Sequence, residues 1–215
     1  MEVTQNESTT PKALALPARV LSWIFHPLFV GAMMMYYLTF LHPTLFMAVP
    51  EKARVLRFIT FVNNNVVFPS LVVLLMRALG FSRSLHLDDR RERIVPYMAS
   101  VIFFFWTYHV FRNQPEMPVV VTDMCQGVFL SSCCALVLNS FMKVSMHAMG
   151  VGGLMGLMWV LLSAGQLHAA WPMALSVLLA GAVCTSRLLI TDHTLAEMVT
   201  GLTLGFGMQL LAAWV

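Results

Sequence analysis

Apolar residues run along this chain in long blocks separated by short polar stretches, with little of the alternation that marks a half-exposed helix or strand. Blocks near 20–42, 55–80, 94–112, 119–140, 147–165, 171–190 and 194–214 end at charge clusters or prolines. Each is long enough to cross a hydrocarbon core of about 30 Å as a helix. A bilayer offers no hydrogen bonds to the backbone, so spanning segments must be helices or a closed barrel. The pattern therefore predicts an all-α, polytopic transmembrane helical bundle of about six to seven spans. Residues 1–18 read as a polar N-terminal segment and 19–215 as a single transmembrane domain. The first block is longer than a signal peptide's core and is followed by no small-residue cleavage site, so it is expected to stay in the mature protein.

Within the blocks, Gly150, Gly152, Gly153 and Gly156, and then Gly201, Gly205 and Gly207, have the small-residue spacing that lets membrane helices approach closely. Asn63, Asn64 and Asn65 are expected to turn into the bundle, because an amide facing lipid has no partner.

Composition narrows the picture. With 59% hydrophobic and 11% charged residues among 215, the chain cannot cover a soluble surface. The net charge of +3 is small and its basic residues sit at block ends, which argues against a nucleic-acid partner and for anchoring at membrane lipids. Cys125, Cys133, Cys134 and Cys184 lie inside apolar runs without zinc-ligand or disulfide spacing and read as small packing residues. If seven spans are correct, the loops at 81–93, 141–146 and 191–193 emerge on one side, together with the N-terminus. Those loops hold most of the unusual polar residues.

Three motifs carry candidate chemistry. In the stretch SRLLITDHTLAE, a helix beginning near His193 puts Glu197 one turn further on the same face, where its carboxylate can hold the imidazole and set its tautomer. Thr194-x-x-Glu197 also matches a capping box, so Glu197 can equally serve to close the helix start. Arg187 and Ser186 offer a planar cationic fork and a hydroxyl to phosphate oxygens. The second motif, Lys143-Val144-Ser145-Met146-His147, gathers a cation, a hydroxyl and an imidazole at a helix N-terminus, which favours anions. The third, Asp88 to Arg93 followed by Pro96, puts Arg90 and Arg93 on one face if helical; it can also be a solvated anchor beside the membrane. Together they supply what phosphoryl transfer needs: anion clamps, a nucleophile and a proton donor.

The combined pattern resembles the type 2 phosphatidic acid phosphatase superfamily, over roughly residues 88–205. The third family motif matches through Ser186, Arg187 and His193, with Glu197 in place of Asp. The second matches through Ser145 and His147, with Val144 and Met146 in place of Pro and Gly. The first is divergent: the expected Arg and Lys positions hold Val95 and Asp88, so Arg90 and Arg93, helped by Lys143, would supply that charge. The resemblance implies that His193 is the nucleophile that becomes phosphohistidine, that Glu197 orients it and that Arg187 and Ser186 bind phosphate. It further implies that His147 is the general acid and that neither metal nor cofactor takes part.

The expected activity is removal of phosphate from a lipid phosphate such as phosphatidic acid, phosphatidylglycerol phosphate or an isoprenyl diphosphate. The protein is expected in the cell inner membrane. Basic residues are richer on the N-terminal side, which suggests a cytoplasmic site, whereas the resemblance suggests the outer face; the face stays open. Oligomeric state is not legible. Two other readings use the same groups. A transporter or channel would line its path with Asn63 to Asn65, Arg187 and Glu197, and a haem-bearing electron carrier would take ligands from His26, His109, His147 and His193.

Overall fold

The computed structural model describes residues 12–80, 94–190 and 193–215. Helix α1 (Lys12–Ile24) is followed by α2 (Pro27–Tyr36), which continues through a π-helical turn at Tyr37–Leu41. Helix α3 (Glu51–Val62) passes through a second π-helical turn, Asn63–Val67, into α4 (Phe68–Ala78). Then come α5 (Ile94–Arg112), α6 (Val119–Leu138) and α7 (Met146–Ser163). A 3-10 turn at Leu167–Ala169 leads into α8 (Ala170–Ile190), and α9 (Leu195–Trp214) completes the bundle. No strand occurs among the described residues.

Six helical stretches are long and apolar enough to cross a membrane: 51–78, 94–112, 119–138, 146–163, 167–190 and 195–214. Their outward faces carry large apolar side chains such as Leu74, Ile102, Trp106 and Leu178, as lipid contact requires. The chain is a multi-pass membrane protein with an all-α bundle.

The first apolar block differs from the single span expected at 20–42. It is a pair of helices, Leu14–Ile24 and Pro27–Leu41, bent by 56°. Pro27 is the cause: it has no N–H to offer the preceding turn, and it holds the residue before it out of the helical region, with His26 at φ −60° and ψ 139°. Helix α1 also begins at Lys12, inside the segment read as polar, because the Ala-Leu run at 13–16 favours helix.

Helices α7 and α9 form the closest contact of the bundle. Gly201 lies beside the Ser145 carbonyl, Gly205 beside Met149 and Gly153, and Gly156 beside Phe206. The matching order along both helices means that they run parallel and start at the same end. A Cβ on Gly152 or Gly205 would overlap a facing carbonyl, that of Leu202 or of Met149, so the two backbones meet only because side chains are absent there. Gly207 is different. Nothing lies within 4 Å of a Cβ at that position, because two residues beyond Gly205 is about 200° around the helix.

Buried amides join further helices. Gln209 of α9 donates through Nε2 to the Met124 carbonyl of α6 at 3.3 Å. Asn65 donates through Nδ2 to Thr107 Oγ1 of α5 at 2.9 Å and to its own helix at Phe61 O, 3.0 Å. Asn64 is buried as well, but Asn63 is exposed, contrary to expectation. Three consecutive helical residues point about 100° apart, so they cannot all face inward.

Helices α5 and α6 pack against each other across the short 113–118 connection, and α6 leads through 139–145 into α7. The start of α5 therefore lies at the same end of the bundle as the start of α7. Arg90 and Arg93, which precede α5, lie outside the described residues.

The glycine contact makes a direct prediction. Gly205→Ala should destabilise the protein by about 1–3 kcal/mol through overpacking, whereas Gly207→Ala should leave it near wild type; thermal unfolding of the two variants in detergent checks this.

Candidate active site

At the start of α9, Thr194 is the N-cap. Its Oγ1 accepts from Glu197 N at 3.2 Å, while Glu197 Oε2 accepts from Thr194 N at 3.1 Å, a complete capping box. The same Oε2 lies 2.9 Å from His193 Nδ1. The two readings open in the sequence are thus both realised on one oxygen: Glu197 closes the helix and holds the imidazole. The pair is well shielded, with side chains 8% and 16% exposed. Lys143 is near enough to act electrostatically on Glu197.

At the start of α7, Ser145 is the N-cap, fully buried, and its Oγ accepts from Ala148 N at 3.4 Å. Its own N–H donates to the Glu197 carbonyl at 3.4 Å, which ties the first turns of α7 and α9 together. The Ser145 side chain thus caps the helix end, where it helps fix the turn that carries His147. His147 itself is half-buried.

At the end of α8, Ser186 is buried and donates to Val183 O within its own helix at 2.8 Å. Arg187, about 100° further around α8, donates through Nη1 to Ser22 Oγ at 3.0 Å. Ser22 also meets His147, whose Nε2 lies 3.1 Å from the Ser22 carbonyl and 3.3 Å from its Oγ.

The break before Pro27 explains why that carbonyl is available. In a continued helix, Ser22 O would accept from His26 N and Trp23 O from residue 27. Proline has no such N–H, so His26 N turns to Trp23 O at 3.4 Å. The Ser22 carbonyl is left as one of the orphans of a helix end, and the His147 imidazole satisfies it. His26 packs its ring edge-on against His147, centroids 5.5 Å apart at 82°, and its Nδ1 accepts from Leu28 N at 3.4 Å.

Seven sequence-predicted residues converge at this one end of the bundle. His147 and Arg187 meet on Ser22, His193 is paired with Glu197, and His193 and Arg187 are both close enough to His147 to act on it electrostatically. Lys143 lies alongside, and Ser145 and Ser186 are in the same region, Ser145 Oγ accepting in the helix cap and the Ser186 hydroxyl donating within α8. Of the other histidines proposed as haem ligands, His109 is exposed on α5 against Phe105 and Trp106. Ser22 was not singled out from the sequence, and His26 was read only as a haem candidate. The available signal was His26-Pro27 interrupting an apolar block, since it marks a helix end one turn after Ser22.

Comparison with protein-family models, with curated proteins and with solved structures finds nothing that matches this chain.

The capping box can be tested by itself. Thr194→Ala should cost about 1 kcal/mol of stability, read by thermal unfolding, and Thr194→Ser should recover most of it.

Proposed function

We propose that this protein is a metal-independent phosphatase of lipid phosphates, working through a phosphohistidine on His193, as the resemblance of its motifs to the type 2 phosphatidic acid phosphatases implies. One observation carries the reading: a guanidinium and an imidazole, Arg187 and His147, meet on Ser22 beside a second imidazole that a carboxylate holds by its Nδ1. That set contains an anion clamp, a proton donor and an oriented nucleophile. Each group lies within about a turn of a helix end, which in a spanning helix would set it at the depth where a phosphate headgroup meets its lipid tail.

In the proposed reaction His193 donates Nδ1–H to Glu197 and attacks phosphorus through the Nε2 lone pair. A P–N bond forms while the bond from phosphorus to the lipid oxygen breaks. Arg187 neutralises the phosphoryl oxygens, with Lys143 adding positive charge nearby and Arg90 and Arg93, outside the described residues, as further clamps. His147, protonated once the anionic phosphate sits beside it, gives a proton to the departing oxygen, which leaves as an alcohol or a shorter phosphate. Water then attacks phosphorus, passes a proton to His147 and releases inorganic phosphate, restoring His193. Because a carbonyl can only accept, the His147 nitrogen bonded to Ser22 O carries hydrogen, and Nδ1 is the nitrogen that exchanges protons in this conformation. Ser145 and Ser186 support the reaction by fixing the helix ends. The substrate's acyl or isoprenyl tail would lie among the helices, with the protein in the cell inner membrane.

Purified protein should release phosphate from phosphatidic acid, phosphatidylglycerol phosphate or an isoprenyl diphosphate in the presence of EDTA. His193→Ala should abolish this, and unchanged turnover in that variant would overturn the reading. Arg187→Ala and His147→Ala should each lower kcat about a hundred to a thousandfold, as loss of one preorganised donor does. Glu197→Gln keeps an oxygen for the cap and weakens the hold on the imidazole, so kcat should fall with little change in melting temperature. The reverse result would make Glu197 a cap alone.

A further inference from the structure

We propose that Ser22, on α1 and far outside the stretch that carries the family resemblance, is itself a phosphate-binding residue that donates its hydroxyl proton to a substrate oxygen between Arg187 and His147. The inference rests on the phosphatase reading of this site for its substrate, but its geometry stands independently.

The reasoning is a count of donors and acceptors. A serine hydroxyl has two acceptor lone pairs and one donor. Arg187 Nη1 can only donate, so its 3.0 Å contact takes one lone pair. The Ser22 carbonyl fixes hydrogen on His147 Nε2, so the 3.3 Å approach of that nitrogen to Ser22 Oγ is a second donation to the hydroxyl. Both lone pairs are then used, and the proton remains.

Serines within helices ordinarily give that proton to a carbonyl three or four residues back, as Ser131, Ser132, Ser163 and Ser186 do here. Ser22 does not: no carbonyl accepts from its hydroxyl among the described residues. Ser22 is only 6% exposed, and a donor so buried costs stability unless something accepts from it. An acceptor-only group seated between a guanidinium and an imidazole fits this place, and a phosphate oxygen is such a group. Arg187, His147 and the Ser22 hydroxyl would then form three donors around one anion, while the Ser22 carbonyl keeps the His147 ring from turning.

The same arrangement assigns α1 to the site. Ala18 and Ser22, one turn apart, are buried, while Leu16, Val20 and Trp23 are exposed on the other side of the helix. The apolar face holds α1 in the bilayer and the serine face closes the anion site.

The test compares wild type, Ser22→Ala and Ser22→Thr in detergent, using inorganic phosphate and orthovanadate as probes. Their affinities are measured by protection against thermal unfolding, and kcat and KM are measured with a lipid phosphate. Ser22→Ala should weaken both anions about ten to a hundredfold, the worth of one hydrogen bond to a charged group, and should raise KM; Ser22→Thr should stay within about threefold of wild type by the same reasoning. A role confined to packing predicts a lower melting temperature with anion affinity unchanged. Anion affinity in Ser22→Ala within about twofold of wild type overturns the proposal even if lipid hydrolysis is robust, and so does a wild-type protein that no anion protects. If wild type binds phosphate, Ser22→Ala loses that binding and no lipid phosphate is hydrolysed, Ser22 stands as an anion ligand and the phosphatase reading falls.

Discussion

The arrangement depends first on the bare backbone contact between α7 and α9. Inside a bilayer the surrounding lipid is as apolar as the helix faces, so helices associate through packing and hydrogen bonds more than through escape from solvent. Gly152 and Gly205 let two helices approach to the point where a carbonyl of one occupies the place of a side chain on the other. That closeness allows Ser145 N–H to reach the Glu197 carbonyl, and so sets the two helix starts, with their histidines, side by side. A methyl group at either glycine would have to push the facing carbonyl away.

A second theme is the double use of atoms at helix ends. Each terminus leaves backbone groups without helical partners, and in a membrane protein little water is at hand to satisfy them. Here those groups are satisfied by side chains that also carry the candidate chemistry. Glu197 Oε2 serves a backbone N–H and an imidazole at once, and the Ser22 carbonyl, released by Pro27, takes the other imidazole. Structural and chemical roles are therefore inseparable at the level of whole residues. Substitutions that remove an entire side chain will disturb both, and only those that retain one function separate them.

Much of this was legible in the residues. Block length predicted the helices, because the thickness of a bilayer sets a minimum length. The capping signature Thr194-x-x-Glu197 located the start of α9, because capping is a local matter of two side chains and two amides. The glycine runs marked the closest helix pair. The features not legible there were directional or distant. Three asparagines or three glycines in a row of symbols do not say which faces outward, and Asn63 and Gly207 do. The bend at Pro27 was hidden by an apolar block that continued on both sides of it. Ser22 was marked only indirectly, by the helix end at His26-Pro27 one turn later, since serine in a membrane helix usually bonds to its own backbone. The first-motif arginines, Arg90 and Arg93, lie outside the described residues.

Ser22 lies 125 residues before His147 and 165 before Arg187 in the chain. A ribosome delivers the first of these long before the last, so a growing chain carries α1 into the bilayer with its carbonyl still waiting for a histidine. The cluster closes only after α8 has arrived, and the His193–Glu197 pair only after α9 begins. The full set of polar contacts would therefore form at the end of synthesis, all at once, and a chain stalled part-way would hold a stack of helices without it.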